Sequence, residues 1–85
     1  MSDLKVRVYK GGSADPATTV TIPGGILRIA AKLIPRRALA AMESEGIDVE
    51  EIIRLSESPE PVGEIARVED HEKNEMVVLA LEAPR

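Results

Sequence analysis

No cysteine occurs among the 85 residues, and phenylalanine and tryptophan are missing as well. Without Cys the chain has neither disulfides nor thiolate metal sites. His71 is the only imidazole, so a histidine-rich metal site is excluded too. Tyr9 is the only aromatic ring. A core of Ile, Leu, Val, Ala and Met must therefore do without the roughly 150–250 Å² that each large ring buries. A domain of this length is marginal alone and gains stability from a disulfide, a metal or a partner chain. With the first two closed, self-association is the expected route. An acidic chain without stacking rings is also a poor nucleic-acid binder. The N-terminus lacks the apolar run of a signal peptide, and no stretch reaches the roughly 18 uncharged apolar residues of a membrane span. These absences read as a cytoplasmic protein with no cofactor.

Charge is present but unevenly placed. Residues 1–42 carry seven Lys or Arg against Asp3 and Asp15, a balance of +5, whereas residues 43–85 carry four against thirteen acids, a balance of −9. Such a dipolar chain can complement itself, within one copy or between two.

The hydrophobic pattern predicts one domain, residues 1–85, of the α+β class. Leu4-Lys5-Val6-Arg7-Val8-Tyr9-Lys10 alternates with period two, and Thr18–Ile22 is β-branched throughout. With the Gly11–Pro16 turn between them they form a hairpin. After Pro23-Gly24-Gly25, Ile26, Leu27, Ile29, Ala30, Leu33 and Ile34 recur at three and four, a helical stripe that Pro35 kinks or restarts. Arg28, Lys32, Arg36 and the adjoining Arg37 form the basic face of this predicted helix, 26–37. Residues 38–43 continue as helix, and Gly46 is placed to stop it. Asp48 can cap the N–H of Glu51 at the start of a helix over about 49–57, with Glu51 reaching back to Asp48. Strands follow over 63–69 and 75–82. The order β-β-α-α-β-β favours a four-stranded antiparallel sheet with two or three helices on one face.

The last strand differs from the first. Residues 76–81 are apolar without interruption, so both faces want cover, and the helices supply it for only one. A second copy is the economical source for the other. Met76, Val77, Val78, Leu79 and Leu81 are thus the expected homodimer interface, with Leu33, Ile34 and Leu39 as additions.

Nothing in the chain composes a catalytic site. His71 lies between Asp70 and Glu72 in a predicted turn with no nucleophile near it. Gly11-Gly12-Ser13 and Pro23-Gly24-Gly25 match neither a P-loop nor a dinucleotide fingerprint. The acids of residues 43–60 lack the alternating oxygens and glycine of a calcium loop, and read as solvated groups or as a patch for a cationic peptide or protein.

A hairpin ending in Ile-Pro, then G-x-L-R-I-A-x-K-L-I-P, E-G-I-D-V-E-E-I-I, G-E-I-A-R-V-E-D and an apolar strand ending in Glu together resemble the SHOCT-like domain near the N-terminus of bacterial LiaX/YvlB-type proteins. The resemblance covers roughly residues 4–82. The chain is expected to stand without the helical segment upstream and the large domain downstream that accompany that domain. Some members of the family are tied to cell-envelope stress and to recognition of cationic peptides. The resemblance therefore implies a regulatory or binding module, not an enzyme, and supplies no catalytic residues. The expected function is a non-enzymatic, self-associating interaction module. The alternative is a peripheral binder of anionic membrane through the basic helix.

Overall fold

Alternation along the first segment and an uninterrupted apolar run along the last produce the two central strands. The computed structural model describes residues 1–84, in which β1 (Asp3–Lys10), β2 (Thr18–Ile22), β3 (Gly63–Asp70) and β4 (Glu75–Glu82) form one antiparallel sheet of order β2-β1-β4-β3. Two helices, α1 (Arg36–Ser44) and α2 (Val49–Ser56), lie between the hairpins in sequence. Leu4, Val6 and Val8 of β1 stand opposite Leu81, Leu79 and Val77 of β4. All six are buried, with Ala38, Ala41 and Met42 of α1 and Ile52 and Ile53 of α2, in a single hydrophobic core. The α+β class and the four-stranded antiparallel sheet are as the sequence predicts.

Local chemistry sets the helix ends. The Glu51 N–H donates to Asp48 Oδ1 at 2.8 Å, the predicted cap. No reciprocal bond from Glu51 to Asp48 forms among the described residues. Gly46 adopts φ 70°, and the Ile47 N–H reaches back to the Met42 carbonyl at 2.8 Å, which ends α1.

The predicted helix 26–37 does not form. In its place stand two single 3-10 turns, Gly24–Ile26 and Ala31–Leu33, and α1 begins only at Arg36. Pro35 is the reason. It drives Ile34 into an extended conformation, ψ 123°, which no helix can pass through. The eight residues left between Gly25 and Ile34 are too few to sustain a helix by themselves.

On β4 the expected interface residues, half-buried Met76 apart, are not at the surface. Val77, Leu79 and Leu81 face the chain's own core and offer no surface to a second copy. On the opposite face Val78 and Ala80 are only 5% and 4% exposed. Their cover comes from long charged side chains of the neighbouring strands. Arg7 and Arg67 flank Val78 from either side in register. Arg7 runs along the face from opposite Val78 to grip Glu82 through two bonds of 2.7 and 2.8 Å. Arg67 donates to Glu64 and to the sulfur of half-buried Met76. The alkyl stems of such residues shield apolar surface while their heads stay wet.

These pairs carry a pH signature. Two hydrogen bonds from Arg7 hold the Glu82 carboxyl below its ordinary value of 4.5, and Arg67 does the same to Glu64. A depressed carboxylate contributes stability that is present above its ordinary pKa and is lost as pH falls through the lowered one. Thermal melts on the acid side should therefore show Tm falling below about pH 4.5. Glu82→Gln should flatten that limb by less than about 1 kcal/mol, since the pair is solvated. An unchanged acid limb in the variant would remove the pair from the account.

Candidate functional site

Between Pro23 and Pro35 the apolar stripe splits in two. Leu27, Ala30 and Ile34 turn inward and are buried. Ile26, Ile29 and Leu33, each the immediate neighbour of an inward residue, turn outward and are 47%, 81% and 68% exposed. The spacing 27, 30, 34 is repeated by 26, 29, 33; the core takes the first set and leaves the second as an outward ridge along the segment. Backbone bonds tie the turns together, from Ile29 and Ala30 N–H to the Ile26 carbonyl and from Leu33 N–H to the Ala30 carbonyl, at 2.7 to 3.0 Å. Exposed large apolar side chains on one stretch of a small chain mark an interaction site more often than chance.

The base of this stretch is firmly held. Gly24 is buried, and its N–H donates to Asp3 Oδ1 at 3.0 Å. The Ser2 backbone packs directly against it, and the Ser2 N–H donates to the Ser56 carbonyl at the end of α2, at 2.7 Å. The outward ridge is thus mounted on β1, on α2 and on the core through Leu27 and Ile34.

The electrostatics of the stretch have one sign. From residue 16 to residue 42 there is no Asp or Glu, while Arg28, Lys32, Arg36 and Arg37 all occur there. All four are exposed. Arg28 shares its charge with Glu57 at 3.3 Å and Arg37 with Glu75 at 3.3 Å. Lys32 and Arg36 have no carboxylate within ion-pair distance among the described residues. The basic residues named from the sequence are therefore present on one segment, as an interrupted series on turns and the head of α1 instead of on one face of a helix.

The other expected sites fare differently. Of the eight residues named as an interface, Leu33 alone is exposed; Ile34 lies in the core and Leu39 is half-buried against it. Ile26 and Ile29, which sequence reasoning turned inward, join Leu33 instead. Within the acidic stretch 43–60, Asp48 is occupied as a helix cap and Glu57 pairs with Arg28. His71 is exposed on its turn, 3.8 Å from Glu69. Among the described residues no group of three His, Cys, Asp or Glu side chains could hold a metal ion, and no helix is long and apolar enough to cross a membrane.

A family model described as "YvlB-like protein, C-terminal domain" matches residues 3–79, from the first strand well into the last. The chain belongs to that family. No curated protein and no solved structure matches it. The match runs through the whole stretch between Pro23 and Pro35 of this YvlB-like domain, so the turns and their outward ridge lie inside the family unit.

Proposed function

We propose that this YvlB-like domain is a non-catalytic, cytoplasmic module that docks peripherally on anionic membrane surface. The observation that carries the reading is the outward ridge of Ile26, Ile29 and Leu33 set in an acid-free, basic segment. Full burial of a Leu or Ile side chain contributes roughly 1.5–3 kcal/mol, and each Lys or Arg near an anionic leaflet contributes roughly 1 kcal/mol. One such term alone gives marginal binding; apolar insertion combined with a basic patch gives a stable anchor. A second copy of the chain is a less fitting occupant. The three ridge side chains expose on the order of half of the roughly 800 Å² that each partner of a stable dimer contributes.

Self-association through the same ridge is the second reading, favoured by exposed Leu33 and the opposite charge of the two halves of the chain. The narrower assignment to SHOCT-like, LiaX-type domains, with its link to envelope stress, fits the first reading, because a module at the inner membrane face is placed to report on the envelope.

Co-sedimentation with vesicles tests the proposal. Binding is expected to vesicles rich in phosphatidylglycerol at low salt, weaker but measurable at high salt, and slight on pure phosphatidylcholine. Indifference to anionic lipid would end it. Light scattering at micromolar concentration separates the second reading, since a membrane binder remains at 9.2 kDa.

A further inference from the structure

A second site lies on the other side of Arg36. One face of α1, carrying Arg36, Ala40, Ala41 and Ser44, is separated from the β3–β4 hairpin by a cleft of about 310 Å³. That volume is at the small end of ligand pockets. Its floor is apolar, made by Ala41 and Val77 from the core together with Ala40 and Val68. Charged groups ring the mouth, and their partners decide what remains available.

The two acids are already engaged. Glu75, with its side chain 7% exposed, sits between Arg37 at 3.3 Å and Lys10 at 3.5 Å. Asp70 Oδ1 accepts from the N–H groups of Glu72 and Lys73 and so closes the β3–β4 turn. Two cations are left over. Arg36 and Lys73, from opposite walls, have no carboxylate within ion-pair distance among the described residues. The helix above them adds to the same sign. Its first turn holds no acid, and Pro35 gives no side-chain cap, so its positive end adjoins two arginines. Acids are the stabilising choice at that position, and a bound anion would supply what the sequence omits.

We propose that this cleft binds a phosphate monoester bearing a short apolar chain. The phosphate sits between Arg36 and Lys73, whose two charges match a group of about −1.5 to −2 at neutral pH. The chain lies on Ala40, Ala41, Val68 and Val77. This site goes beyond the docking ridge: it shares Arg36 with the basic segment, but Lys73 and the apolar floor belong to α1 and the β3–β4 hairpin.

Amide-resolved NMR titration of the full chain with hexyl phosphate tests the assignment. Saturable shifts are expected at Arg36, Arg37 and Lys73, with inorganic phosphate about tenfold weaker for want of the apolar part. Lys73→Gln and Arg36→Gln should each weaken hexyl phosphate about tenfold while the melting temperature holds, because both side chains are exposed. Shifts that fail to saturate, that spread over all Lys and Arg, or that survive Lys73→Gln unchanged would overturn the proposal, as would equal affinity for the two probes. A second arm uses vesicles containing phosphatidic acid, which displays the same monoester. Weaker vesicle binding by Lys73→Gln assigns the site to a lipid headgroup, and undiminished binding assigns it to free monoesters. Either result stands with the proposal once the soluble titration has succeeded.

Discussion

Replacing Ile29 and Leu33 together by Asp is expected to lower partitioning onto anionic vesicles by about a hundredfold and to leave the fold as stable as before. Two partly inserted side chains and two new repulsive charges remove on the order of 3 kcal/mol, and each 1.4 kcal/mol is a factor of ten. Both residues are well exposed, so neither contributes appreciably to the core. The neighbouring inward residues give the contrast. Leu27→Ala should leave a cavity and cost about 2–5 kcal/mol of stability. A double Asp variant that bound vesicles like the parent would show that the ridge does not touch lipid. One that unfolded would show that the ridge is not at the surface.

Gly24→Ala carries a large expected effect on stability. A Cβ at this position would lie 2.2 Å from the Ser2 carbonyl oxygen, 3.0 Å from the carbonyl carbon and 3.3 Å from the Ser2 nitrogen. All three are backbone atoms, so no rotamer change relieves the clash. Ser2 cannot retreat either without surrendering its bond to the Ser56 carbonyl. Overpacking of this kind costs about 3 kcal/mol, which for a domain of this size lowers Tm by roughly 15 °C. Gly25, one residue on, is the control, since no atom of the described residues lies within 4 Å of its Cβ position. Equal melting temperatures for Gly24→Ala and Gly25→Ala would contradict the close approach of the first strand's lead-in to the turn that begins at Gly24.

Much of this architecture was legible in the residues, and the exceptions have physical causes. Period-two alternation located β1, and uninterrupted apolar character located β4 within the sheet. Asp48 and Gly46 announced helix ends because capping is a local property of a few residues. The stretch 26–34 misled because three adjacent apolar pairs look like one broad helical stripe. The restriction Pro35 places on Ile34 outweighs that periodicity, and once the helix is lost one member of each pair must face water. The second face of β4 misled for a different reason. Its cover comes from Arg7 and Arg67, which are distant in sequence and meet Val78 only because the strand order places β4 between β1 and β3. The cleft had no sequence signal at all. Arg36 and Lys73 are on different elements, and their lack of partners depends on which acids Arg37 and the β3–β4 turn have taken.

The proposed docking role of the ridge can be read out directly because the chain contains no cysteine. An environment-sensitive fluorophore on Ile29→Cys should shift to the blue and brighten when phosphatidylglycerol vesicles are added. The same label on Thr19→Cys, exposed on the edge strand β2, should stay as it is in water. A label at position 29 that remains aqueous on vesicles, or equal responses at both positions, would contradict the claim that this ridge is what meets the membrane.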